Sequence, residues 1–147
     1  MKSEPSCYSI DDLQADTRTM WDGIRNYQVR NMIRDAIKKG DRAFFYHSSC
    51  KEIGIVGEME VVKEAYPDPT QFDPKSEHPD LNSDPKHPRW LCVDVAFIQE
   101  FPRRIPLNAL KLETSLRGMP LLQKGNRLSI TPVTKQQYQK ITALAKK

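Results

Sequence analysis

Residues 21–30, WDGIRNYQVR, place two aromatic rings, a carboxylate, a glycine, an amide and two guanidinium groups within ten positions. These are the groups needed to hold a nucleobase by its face, its edge and its phosphates. Trp21 and Tyr27 offer flat surfaces for stacking, and Asn26 offers a donor and an acceptor for a base edge. Arg25, Arg30 and, one helical turn on, Arg34 supply positive charge for the backbone. The same tryptophan, ahead of Asp22-Gly23, also suits a core plug over a turn, and the arginines also suit a solvated helix face.

Other chemistry-bearing residues are less well assembled. His47-Ser48-Ser49-Cys50 has an H-x-x-C spacing, and His78 and His87 lie in a proline-rich stretch, yet no paired-ligand motif repeats. No metal site and no cofactor are expected. Cys50 with His47 as its base is a conceivable nucleophile, but residues so close in sequence at a strand end rarely face each other correctly. The role expected of His47 and Ser48 is hydrogen bonding from a strand terminus into a pocket, or turn capping. The glycines of GIVG are followed by neither a helix nor Lys-Ser/Thr, so a Walker or dinucleotide phosphate cradle has no support. Catalytic residues are therefore not assigned.

The elements that must position these groups follow from periodicity and caps. Ser9-Ile10-Asp11-Asp12 is a capping box that predicts a short helix to about residue 15. Val29, Met32, Ile33, Ala36 and Ile37 make an amphipathic stripe from Tyr27 onward, with Lys38 and Lys39 at the negative end and Gly40 as the stop. Strands are expected over 43–47, over 54–62, where glycine suggests a bulge or close approach, and over 91–98, with Cys92 a small core residue; a short one is expected at 127–130. Thr134 and Gln137 form a second capping box for a final helix to about residue 145. Short helices framing unevenly spaced strands predict an α+β domain around a small curved sheet or barrel. Six of the eleven prolines fall between Tyr66 and Arg89, which predicts a long, stiff loop at about 66–89, an ordered flap.

The totals bound the function. A chain of 147 residues is expected to be a single domain over 1–147, and no apolar run approaches the ~20 residues of a membrane span. MKSEPSCYSIDDL reads as neither a signal nor a transit peptide. Three cysteines without CxxC spacing suit free thiols in a reducing compartment. A net charge of +4 permits a polyanionic partner without demanding one.

KSEPSCYSIDDL, WDGIRNYQVRNMIRD, FFYHSSCKEIGIVGEMEVVKEAYPDPTQFDPKS, PRWLCVDVAF, RIPL and RLSITPVT, in this order and over nearly the whole chain, resemble the EVE domain family. The resemblance implies a PUA-like barrel related to the YTH domain, and recognition of a modified base without chemical change to it: a modified cytosine in DNA, or a modified base in RNA. By motif it implies that Lys2 and Ser3 line the pocket, that Trp21 forms one wall of an aromatic cage with Asn26 and Tyr27 beside it, and that Tyr46, His47 and Ser48 belong to the site. It also implies a backbone-contacting role for Arg127 and a pocket role for Trp90. The first strand is expected to be short. The DPTQFDPKS wording, closest to bacterial members, implies a bacterial cytoplasm, or a nucleus in a eukaryote. Nucleic acid is the expected partner, with no membrane and no obligate protein partner. The alternatives are a hydrolase or nuclease on the same fold, using His47, Cys50 or Lys2, and a pocket for a small anionic metabolite.

Overall fold

The computed structural model describes residues 1–146. Its centre is a five-stranded mixed sheet in the order β1-β3-β4-β5-β2. The strands are β1 (Lys2–Ser3), β2 (Arg18–Trp21), β3 (Arg42–His47), β4 (Gly54–Pro67) and β5 (Leu91–Pro106). β1 pairs parallel with β3, and every other pairing is antiparallel. β4 and β5 carry four register shifts along their shared ladder. Such bulges bend a sheet, and this one curls until its two edge strands, β1 and β2, line one cleft.

Among the described residues four α-helices cover the sheet: α1 (Ile10–Asp16), α2 (Tyr27–Asp35), α3 (Leu107–Leu112) and α4 (Lys135–Ala145). Both predicted capping boxes are formed, Ser9 with Asp12 on α1 and Thr134 with Gln137 on α4. Neighbouring residues of β3 serve two separate cores. Phe45 joins Leu13, Ile33, Met59 and Val95 under α1 and α2, while Phe44 and Tyr46 join Leu110, Leu116 and Ile141 under α3 and α4. Gly57 lets α1 lie close, because a Cβ there would stand 2.8 Å from Ile10 Cδ1.

The structure departs from the sequence reading in five places. α2 ends at Asp35 instead of running to Gly40, because the Asp41 carboxylate accepts from the Lys38 amide at 2.8 Å and draws the chain into a turn. No strand forms over 127–130. There the Asn126 carboxamide takes the Leu128 amide at 2.9 Å, and Ser129 contributes a single carbonyl bond to Lys2. β2 has no counterpart in the sequence reading, β4 continues five residues beyond the predicted strand end at 62, and β5 continues eight residues beyond the predicted end at 98. The proline-rich segment is organised around a buried Gln71. Its oxygen accepts from Ser83 Oγ at 2.6 Å and the Trp90 amide at 3.1 Å, while its nitrogen donates to the carbonyls of Asp68 at 2.7 Å and Trp90 at 2.9 Å. All four hydrogen-bonding positions of that carboxamide are thereby filled.

Candidate functional site

The cleft between the sheet margins has a volume of about 940 Å³. Lys2, Ser3, Glu4, Cys7 and Tyr8 form one side of it, and Thr19 to Arg25 form the other. Ser48 and Ser49 close it from the end of β3, Glu77 and His78 overhang it from the proline-rich segment, and Arg127 and Ser129 complete the rim. A second cavity, of about 340 Å³, is lined mainly by apolar side chains of both cores, Met32, Ile37, Phe44, Met119 and Tyr138 among them. Polar groups converge in the larger space, as a ligand site requires.

Trp21 ends β2, and its side chain is only 7% exposed. Its ring meets Phe45 edge-on at 5.4 Å and an interplanar angle of 85°, so the indole is braced from the core while it lines the cleft. It is core plug and cleft wall together.

The residues after it are held by a buried carboxylate. Asp68 accepts from the Gly23 amide at 2.9 Å, Arg25 Nη1 at 3.1 Å, the Thr70 amide at 2.8 Å and Thr70 Oγ1 at 2.6 Å. Burial opposes ionisation of Asp68, yet these donors outweigh it and hold the carboxyl below the usual range. Arg25 also donates to His78 O, Thr70 Oγ1 and Ile24 O. Its guanidinium therefore struts the proline-rich segment against the cleft wall.

Asp22 lines the cleft beside this strut. Partial burial and the negative charge of Asp68 raise its pKa above the ordinary aspartate value. A carboxylate so placed can accept from the exocyclic amino group of a cytosine-type base. Asp-Gly reads in the sequence as a turn, so this residue was not singled out there. Burial lowers the pKa of the Lys2 ammonium on the opposite side. Burial first, and then the hydrogen bond to Asp16, pushes the Tyr8 phenol up to about 12 and keeps it protonated, with its proton donated to Asp16 Oδ2 at 2.7 Å.

Lys2, Ser3, Trp21, Arg25, Ser48 and Arg127 are thus brought to one cleft. The other residues read as site candidates stand elsewhere. Asn26 spends its side-chain oxygen on the Val29 amide at 3.0 Å, as the N-cap of α2. Tyr27 lies against Trp90 at 4.8 Å, with Arg30 over the Tyr27 ring at 4.8 Å and Arg25 over Trp90 at 5.7 Å. Trp90 Nε1 donates to Asp80 at 2.8 Å, so this stack fastens the proline-rich segment to α2. Arg30 further donates to Asn31 Oδ1 and Arg89 O, and Arg34 makes two bonds with Asp35. Tyr46 belongs to the second core. His47 Nε2 accepts from the Ile10 amide at 3.1 Å and so anchors the start of α1. Burial lowers the His47 pKa, which favours this neutral, accepting form. With its basic nitrogen engaged, His47 is not poised to activate Cys50. Of the four arginines expected at phosphates, Arg127 is the one that is exposed at the cleft with no carboxylate partner among the described residues.

The sequence model of the EVE domain matches residues 1–144. Human thymocyte nuclear protein 1 is 44% identical over 166 residues, an alignment that takes in 100% of this chain and 73% of the relative. Its chicken counterpart is 45% identical over 98% of this chain and 66% of its own length. The chain thus spans roughly two thirds to three quarters of these relatives. Among solved structures, a Pseudomonas syringae protein superposes with a TM-score of 0.95 at 47% identity, over 99% of this chain and 97% of that one. Human THYN1, in complex with 5-methylcytosine containing DNA, superposes with a TM-score of 0.91 at 44% identity, over 100% of this chain and 96% of that one.

Proposed function

We propose, from the premise that the chain belongs to the EVE domain family and has its PUA-like α+β fold, that the cleft receives a modified cytosine of DNA turned out of its strand. The observation that carries this reading is the joining of Trp21, Asp22, Ser3 and Ser48 in one open cleft with Lys2 and Arg127 at its sides. The human relative, solved with 5-methylcytosine containing DNA, supports the choice of ligand.

Turning a base out of the stack costs a few kcal/mol, and one aromatic stacking contact returns ~1–3 kcal/mol. Trp21 therefore offsets part of the extrusion, and the polar contacts must supply the rest. Asp22 accepts from the cytosine amino group and Ser48 supplies a hydroxyl, while the Ser3 and Tyr8 oxygens, whose protons go to Tyr8 O at 2.6 Å and Asp16 Oδ2 at 2.7 Å, remain as acceptors. The methyl group contributes ~0.8 kcal/mol when it fills an apolar corner. Lys2 and Arg127 add the salt-dependent contact to the phosphates. Binding, with no bond made or broken, accounts for these groups. A hydrolase built on Cys50 and His47 is disfavoured by the engagement of His47 with Ile10. The relatives from Pseudomonas favour a bacterial cytoplasm as the setting.

The test is a titration of matched DNA and RNA oligonucleotides carrying cytosine or 5-methylcytosine, followed by gel analysis for cleavage. Tighter binding of the modified DNA, with the strands intact, is expected. Equal affinity for all four, or cut strands, would overturn the reading.

A further inference from the structure

Residues 101–147 hold ten lysines and arginines against one glutamate, whereas residues 1–100 hold thirteen against eighteen acids. A chain of net charge +4 thus divides into an acidic body and a strongly basic end. Two of these basic residues stand on turns built alike. Arg117 (φ −58°, ψ 139°) precedes Gly118 (φ 85°), and the Met119 amide donates to Leu116 O at 3.1 Å. Lys124 precedes Gly125 (φ 81°), and the Asn126 amide donates to Gln123 O at 3.2 Å. In the first, these angles define a type II turn, in which the third residue takes positive φ and is glycine for that reason. The second has the same hydrogen bond and the same glycine.

At both glycines the position of a Cβ has no atom within 4 Å, so the turn tips face open space and another backbone can approach them closely. The turns are one unit. Gln123 Nε2 donates to Met119 O at 3.2 Å and Asn126 Nδ2 to Pro120 O at 2.9 Å, over the buried side chains of Leu116 and Met119. Arg127 follows directly and stands at the cleft. Arg117, Lys124 and Arg127 are exposed and have no carboxylate partner among the described residues.

We propose that the loop of residues 116–127 is a second contact surface for the phosphodiester backbone of the DNA whose base enters the cleft, with Arg117 and Lys124 on twin glycine turns extending the positive charge that begins at Arg127. The course of the DNA rests on the base-binding reading of the cleft. Arg127 connects the two surfaces, since it borders the cleft and closes the loop. The loop is braced by its own hydrogen bonds, so the backbone that carries its cations needs no ordering step.

Each phosphate contact adds about 0.9 to the slope of log affinity against log salt on B-DNA. The double variant R117Q/K124Q should therefore lower the wild-type slope by about two, with the ratio of affinities for modified and unmodified duplex unchanged. The comparison variant, K39Q/K146Q, removes the same charge from exposed positions outside the loop and should leave the slope near wild type. An unchanged slope in R117Q/K124Q, or an equal fall in both variants, overturns the proposal. If the double variant melts early, R117Q and K124Q are measured singly, each expected to remove about one from the slope. Failure of the cleft reading is recognised separately, as a wild-type protein with a salt slope but no base preference.

Discussion

Trp21→Phe and Trp21→Ala separate the two duties of this side chain. The indole is 7% exposed and packs edge-on against Phe45, so truncation to alanine removes core packing as well as the cleft wall. A Trp→Ala change in a core costs ~3–5 kcal/mol, a large part of the ~5–15 kcal/mol available to a folded domain. Binding of that variant is therefore measured in the cold, with the folded fraction determined by near-ultraviolet circular dichroism. Trp21→Phe keeps a ring and most of the packing. Stacking of one base contributes ~1–3 kcal/mol, and each ~1.4 kcal/mol is a factor of ten. The alanine variant should thus bind 5-methylcytosine DNA about 5- to 140-fold more weakly, with the phenylalanine variant in between. Salt-sensitive binding of unmodified DNA should survive in both. The assay is fluorescence anisotropy of matched duplexes at two salt concentrations. A folded alanine variant with undiminished preference for the modified duplex would refute the assignment of Trp21 as the stacking surface.

Burial of one methyl group gives ~0.8 kcal/mol, so competition between modified and unmodified duplexes should show about a fourfold preference; a thousandfold preference would mean that a clash or a further polar contact decides. Asp22 accepts from the base more strongly when ionised, and its pKa is raised, so affinity should climb with pH above the ordinary aspartate range. Asp22→Asn should flatten that climb in pH-dependent titrations, and an identical pH profile would remove Asp22 from the site. Gln71→Leu leaves the Ser83 hydroxyl proton and the Trp90 amide without an acceptor inside the protein, while the Asp68 and Trp90 carbonyls keep their backbone donors. At ~1–3 kcal/mol per orphaned donor the loss should be ~2–6 kcal/mol, a fall of at least about 5 °C in Tm for a chain of this size, read by thermal denaturation. The Cys92 thiol is fully buried and pushed up to about 12, so in the native protein a thiol reagent should label exposed Cys7 and spare Cys92 until denaturant is added; early labelling of Cys92 would contradict its core placement.

Much of the fold was legible because local signals and tertiary structure agree. The capping boxes at Ser9 and Thr134 set the starts of α1 and α4, and alternation in residues 91–98 gave the first half of β5. β2 was not legible, since Arg18-Thr19-Met20-Trp21 carries no clear alternation and is a strand through its pairing with β5. The site was legible in its residue types and less so in their partners. Arg25 looked free for phosphate, but its guanidinium meets Asp68, 43 residues away. Tyr27 and Trp90 pack on each other across a loop that sequence spacing cannot fold. Asn26 did carry a readable signal, since an asparagine ahead of an apolar helical stripe is a favoured N-cap. Asp22 was hidden because a turn accounts for Asp-Gly so readily.

The Asp68 and Gln71 clasps mean that the cleft is assembled before any nucleotide arrives. On the proposed reading, the waiting time at each DNA position is then set by how often the helix breathes, with no closing motion of the protein to await. Mismatched, nicked or fraying pairs, which open most readily, would be sampled first, so the search along a genome would be biased toward damaged or melted tracts before any methyl mark is inspected.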